Sequence, residues 1–197
     1  MFISLIMTTR GDRWELKEAL KSTRDADEVI VIKDIPRLEH ITRLHEGIQK
    51  ATGDFLMTMT DRTILLSGWR KALEESLEKI GGSGCVTFDS NFCGLAGVTR
   101  DYLEKELGGY FYWPDYIHYN GDQELGERAR RDKKYIEVPD GDKYNFRFPK
   151  RYTDQSQEYV EYDKEVYHTR TNLGWPNIRV RTDEERLEAL KKGGIEL

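Results

Sequence analysis

Short apolar runs and stretches of helical period alternate along the first two-thirds of this chain. Ile3 to Met7, Glu28 to Lys33 and Phe55 to Met59 are brief runs rich in aliphatic and β-branched residues, which predict buried strands. Between them, Asp12 to Lys21 places Trp14, Leu16, Ala19 and Leu20 at helical spacing, and Leu38 to Ala51 does the same with Ile41, Leu44, Ile48 and Ala51. Ser67 reads as the cap of a third helix ending near Ile80. Two short strands follow, around Val86-Thr87-Phe88 and from Gly94 to Val98, and then a helix from Arg100 to Leu107. This alternation predicts an α/β fold with a mostly parallel sheet flanked by helices. Beyond residue 140 the pattern loosens into an irregular, tyrosine-rich C-terminal tail. A terminal helix closes it, opened by the capping box Thr182-Asp183-Glu184-Glu185.

Chemistry-bearing residues gather where strands end. Asp61 follows the third strand, at the carboxyl edge where open α/β sheets bind ligands. Asp122 and Glu124 open a helix in Asn120-Gly121-Asp122-Gln123-Glu124-Leu125, ahead of a strand Tyr135 to Pro139. An Asp at that position also serves capping and the helix dipole, so spacing alone leaves both roles open. Gly81-Gly82-Ser83-Gly84 follows a helix and precedes a strand, the reverse of a phosphate-cradling loop, and reads as a turn. No dinucleotide-binding or P-loop glycine motif follows the first strand. Tyr110-Phe111-Tyr112-Trp113-Pro114-Asp115-Tyr116 fits either a sugar-stacking surface or a packed loop. His40 and His45 read as surface or boundary residues of the second helix.

Length and charge narrow the classes. At 197 residues and 38% hydrophobic content the chain is expected to form one domain, 1–197. Charged residues make up 34% but the net charge is only -5, so the signs are interspersed and nucleic-acid binding is excluded. The apolar start meets Thr8-Thr9-Arg10 at once and lacks the form of a signal peptide, and no run is long enough to span a bilayer. A soluble, cytoplasmic protein is expected. Cys85 and Cys93 lack metal-site spacing and read as core thiols, with a disulfide open to them if they lie on neighbouring strands.

Several weak motifs in order carry a family resemblance. His45-Glu46-Gly47-Ile48-Gln49-Lys50-Ala51-Thr52-Gly53-Asp54 leads into the strand before Asp61, and Gly68-Trp69 follows it. Gly94 to Arg100, Leu107-Gly108-Gly109-Tyr110-Phe111 and Asp122-Gln123-Glu124-Leu125 with Arg128 and Arg130 come next. Over roughly residues 2 to 140 this resembles the GT-A nucleotide-sugar glycosyltransferases, in particular the inverting family 2. The departure is at Thr60-Asp61-Arg62-Thr63, where the family has D-x-D-D.

The resemblance implies a single GT-A (Rossmann-like) domain, with 1–107 the nucleotide-donor half and 108–197 the acceptor half and tail. It implies transfer of a sugar from a UDP- or GDP-linked donor to a hydroxyl of a protein or glycan. Asp122 would be the general base and Glu124 its substitute. Thr8, Thr9, Arg10 and Asp34 would contact the donor's base and ribose, and Arg62 and Arg170 its phosphates. Asp61 and His168 would hold Mn²⁺ or Mg²⁺. The incomplete acidic motif keeps two alternatives open: a non-catalytic nucleotide- or glycan-binding module, and a sugar nucleotidyltransferase.

Overall fold

Strand β1 (Ile3–Thr9) is buried at every position, as a central strand covered on both faces must be. The computed structural model describes residues 1–9, 11, 14–33, 40–89, 93–117, 119–148 and 157–192, without the side chains of 157–159. Parallel strands flank β1. β2 (Glu28–Lys33) sets Glu28 level with Ser4, and β3 (Phe55–Thr60) sets Phe55 level with Ile3. Two short strands far apart in sequence, β4 (Thr63–Leu65) and β8 (Asn145–Arg147), pair antiparallel as a separate small sheet. In the main sheet β6 (Ala96–Thr99) runs antiparallel between β3 and β5 (Cys85–Thr87), and β7 (Tyr135–Glu137) lies parallel to β5 at the edge. The order is therefore β2-β1-β3-β6-β5-β7. β6 comes this close to β3 because position 97 is glycine: a Cβ there would strike the Phe55 ring.

Helices cover both faces. Ala19 of α1 (Glu15–Ser22) and Trp69, Leu73 and Leu77 of α3 (Trp69–Lys79) pack with Leu5, Met7, Met57 and Val86. On the other face, α2 (His40–Lys50), α4 (Arg100–Lys105) and α5 (Gly121–Arg131) bring Leu44, Ile48, Leu103, Leu125 and Ala129 against Ile6, Leu56 and Val98. α6 (Gln157–Asn172) adds Val166 to that layer, and α7 (Asp183–Lys192) packs Leu190 beside Ile117 and Tyr162.

The expected α/β architecture is present, with four local corrections. Trp14 lies at the head of α1 but is 58% exposed, because it precedes the stripe that faces the sheet. Gly68, not Ser67, caps α3: its φ of 86° is left-handed and no side chain caps the helix. The segment after Asp61 holds strand β4. The C-terminal region also contains the 16-residue α6, where an irregular tail was expected. The capping box at α7 forms as read, with Thr182 N–H donating to Glu185 Oε2 at 2.7 Å and Glu185 N–H to Thr182 Oγ1 at 3.2 Å. Cys85 and Cys93 are buried free thiols, their sulfurs 3.8 Å apart.

His45 is half-buried, a boundary residue of α2 as expected. It packs its ring 5.2 Å from that of Tyr110 with Nε2 buried and unpartnered, and burial, reinforced by Arg186 and His40, pushes its pKa down from 6.5 to about 4. A lowered histidine pKa favours folding above the unfolded value and opposes it as pH falls. Stability should therefore drop between pH 6.5 and 4, by at most about 3 kcal/mol from this group. Urea denaturation at pH 7 and pH 4.5 should show a smaller drop in His45→Gln than in the wild type; an equal drop contradicts the assignment.

Candidate active site at the carboxyl edge of the sheet

The carboxyl ends of β1, β3 and β5 share one edge, and antiparallel β6 begins there. Continued past Met57 and Gly97, the β3–β6 register brings the end of β3 level with the residues just before β6. Asp61 leaves β3 at this edge and is 5% exposed. Its Oδ2 accepts a 2.8 Å hydrogen bond from Thr9 Oγ1, and Thr9 Oγ1 in turn accepts from Gly11 N–H at 2.9 Å. The ends of β1 and β3 are thus tied by side chains. Thr8 turns the other way, with Oγ1 3.0 Å from His40 Nδ1. Arg62 donates to the Phe148 carbonyl at 3.0 Å and accepts the Phe148 N–H in return, which fastens the Asp61 turn to the end of β8. Arg10 and Asp34 lie outside the described residues.

Asp122 sits half-buried in the first turn of α5. The turn is aimed by Asn120, which takes a left-handed φ of 64°, and by Gly121, where a Cβ would lie 2.8 Å from that of Tyr112. Asp122 Oδ1 accepts the Gln123 N–H at 2.9 Å, and Oδ2 faces Gly94 just before β6. Asp61 and Asp122 therefore reach the same edge from opposite sides of the chain's topology.

Glu124 points the other way. It is 2% exposed and takes Arg170 Nε and Nη2 in a two-bond fork at 2.7 Å each, plus the Tyr116 hydroxyl at 2.8 Å. Arg170, fully buried, also donates to the carbonyls of Pro176 and Ile178 at 2.9 Å and stacks 4.0 Å from the Trp113 ring centroid. The expected reserve base and phosphate ligand thus spend their polar atoms on each other inside the core. The aromatic stretch is mostly core as well: Phe111, Tyr112, Trp113 and Tyr116 are buried, and Tyr110 alone of its rings is exposed. His168 is exposed on α6 with its ring against Tyr167.

Among the described residues no group of three or more His, Cys, Asp or Glu side chains converges on a metal position. Asp61 offers one hard oxygen ligand, which suits an ion such as Mg²⁺ that keeps waters and binds through one or two carboxylates and substrate phosphates.

Two residues at this edge escaped the sequence reading. Asp89 follows β5 as Asp61 follows β3, and Arg147 Nη2 bonds both Asp89 oxygens, at 2.6 and 2.7 Å. The position of Asp89 after a strand was a usable signal; Arg147, 58 residues away, gave none.

The sheet order, the strand-end carboxylates and the helical cover can be compared with solved structures. The chain is similar to Staphylococcus aureus TarS in complex with UDP-GlcNAc, at 13% identity over 98% of this chain and 71% of that one, with a TM-score of 0.61. This is the GT-A fold. A Drosophila beta-1,4-galactosyltransferase 7 mutant, in complex with manganese, UDP-Gal and xylobiose, matches at 13% identity over 81% of this chain and 79% of that one, TM-score 0.55. A197 from STIV, a turreted archaeal virus, matches at 11% identity over 79% of this chain and 98% of that one, TM-score 0.51. No protein-family model and no curated protein matches the chain. No described helix is long and apolar enough to cross a membrane.

Removing Arg170 should strip the buried Glu124 carboxylate of its two-bond fork and leave it to Arg128, whose Nη1 lies 3.4 Å from Oε1. Arg170→Met is expected to cost about 3–5 kcal/mol in urea denaturation, with much of the loss recovered in Arg170→Met/Glu124→Gln. A cost below about 1 kcal/mol would show that the pair does not hold α5 to α6.

Proposed function

We propose that this chain is an inverting glycosyltransferase that moves a sugar from a UDP- or GDP-linked donor to a hydroxyl of a protein or glycan acceptor. The observation that carries the reading is Asp122, whose carboxylate faces Gly94 at the ligand-binding edge of a GT-A sheet. Neighbours of the same fold bound to UDP-GlcNAc and UDP-Gal support a nucleotide-sugar donor.

In this account the donor diphosphate lies over the Thr9–Asp61 end of β1 and β3, in the 1–107 half. Thr8, Thr9, Arg10 and Asp34 would contact the donor's base and ribose. The acceptor enters against the 108–197 half. Asp122 takes the proton from the acceptor hydroxyl as its oxygen attacks the anomeric carbon, while the bond to the diphosphate breaks on the opposite face. Attack opposite the leaving group inverts the configuration. A divalent ion such as Mn²⁺ or Mg²⁺, arriving with the diphosphate, would supply positive charge for the leaving group. Asp61 would be its protein ligand, and Arg62 is the cation next in sequence. Glu124 and Arg170 have no part, being committed to each other. His168, exposed on α6, would be the second protein ligand of that ion.

The likeness to A197 from STIV extends the proposal to a virus-encoded enzyme working in the host cytoplasm on a virion protein. The lone carboxylate at Asp61 favours one rival, a GT-A module that binds a nucleotide or glycan without transferring it.

Asp122→Asn separates the two. It is expected to lower kcat by about 10²- to 10⁴-fold and leave donor affinity unchanged. A wild-type protein that binds donor yet never releases nucleoside diphosphate in the presence of acceptors would favour the binding module.

A further inference from the structure

The strand register carries Cys93 away from Cys85, and the fold brings it back. β5 and β6 pair Thr87 with Ala96, and Phe88 N–H donates to the Leu95 carbonyl. Cys93 therefore lies beyond the last rung of this ladder, while Cys85 is the first residue of β5. Their sulfurs nevertheless meet at 3.8 Å, and both residues are fully buried. Two further contacts hold Cys93 in this position. Its carbonyl accepts the Tyr112 hydroxyl at 2.6 Å, and its sulfur rests on the bare Gly126 of α5, where a Cβ would lie 3.4 Å from it.

Packing alone does not call for two thiols side by side, since a buried thiol packs as a small apolar group and other small side chains would fill the same space. A metal role lacks its other ligands, because no group of three His, Cys, Asp or Glu side chains converges among the described residues. What remains is the chemistry that two adjacent thiols share and two aliphatic groups do not. To bond, the sulfurs must close from 3.8 Å to about 2.0 Å, a movement divided between two side chains.

We propose that Cys85 and Cys93 form a reversible redox clip, whose oxidation to a disulfide locks the approach to β6, with Asp89 and Gly94, onto β5. The oxidant is a low-molecular-weight disulfide. One cysteine thiolate attacks it and releases its first thiol; the second cysteine then attacks the mixed disulfide, forming the Sγ–Sγ bond and releasing the other thiol. Both protons and both electrons leave with the oxidant. The reduced pair is protected from this reaction until the segment carrying Cys93 lifts from β5. Burial of both sulfurs shuts the oxidant out, and contact with Cys85, burial, and the charges of Cys85 and Asp122 keep the Cys93 thiol protonated, with Arg130 opposing.

The bond would tie the chain on either side of Asp89. Asp89 Oδ2 accepts the Leu95 N–H at 2.7 Å, and the Asp89 N–H donates to Thr87 Oγ1 at 3.1 Å. Anchoring Cys93 removes freedom from the open form of this segment, so these two hydrogen bonds break less often in the oxidised protein. The clip does not depend on the glycosyl-transfer reading.

The full-length protein, incubated with oxidised glutathione, alkylated and digested, should yield a peptide linking Cys85 to Cys93 that reduction with dithiothreitol removes. Oxidation should raise Tm by about 5 °C and slow hydrogen exchange at the Asp89 and Leu95 amides about tenfold, and Cys93→Ala should show neither change. The peptide map and the exchange rates are read on the wild-type chain, so they decide the matter even if the variant does not fold. Thiols that stay free, a glutathione adduct that never resolves to the linked pair, or a bond between two chains overturns the proposal. A linked pair with unchanged exchange at Asp89 and Leu95 overturns the locking of this segment.

Discussion

The ion pair between Glu124 and Arg170 fixes the α5–α6 side of this molecule. Two charges shut away from water must satisfy each other, and this pair does so with a two-bond fork, the Tyr116 hydroxyl, two backbone carbonyls and the face of Trp113. Its members come from α5 and α6, and its other partners from the segments around residues 113–116 and 176–178. All four pieces meet at one point. Because Asp122 stands two residues before Glu124, locking Glu124 inward sends the first turn of α5 outward to the sheet edge. The residue that looked like a spare base is what aims Asp122.

A second constraint acts at the strand ends. Parallel β1 and β3 finish together, and the Thr9–Asp61 hydrogen bond joins them where a ligand would lie. Antiparallel β6 starts at the same edge, so the stretch before it, with Gly94, comes level with the Asp61 turn. Side-chain ties then do what backbone ladders do elsewhere: Arg62 fastens β8 over the turn, and Arg147 reaches from β8 to Asp89. The edge is polar and converging, while the apolar material lies in the two layers beneath it.

What the sequence made legible follows from how local each signal is. β1, β3 and α2 are carried by runs or periods complete within about a dozen residues, and the α7 capping box is a four-residue pattern, so all could be read directly. α6 could not. Its inward positions include Asp163, Val166 and Arg170, so its helical spacing is real but two of the three are charged, and hydrophobic period misses it. β4 and β8 are three residues each, and their pairing joins Thr63 to Arg147, 84 residues further along. Asp122 and Asp61 were visible because motif order marks them. The inward turn of Glu124 and Arg170 was not, because a partner 46 residues away leaves no trace in either neighbourhood.

The central claim is that the carboxyl edge binds a nucleotide-sugar through Asp61. Isothermal titration of UDP, GDP and a panel of their sugars into the wild-type protein and Asp61→Ala, each with and without Mn²⁺, tests it most directly. The account predicts that one nucleotide binds at least about tenfold more tightly with the ion present and that Asp61→Ala abolishes this gain. Absence of binding under every condition, or binding that is indifferent to Asp61→Ala, would contradict it.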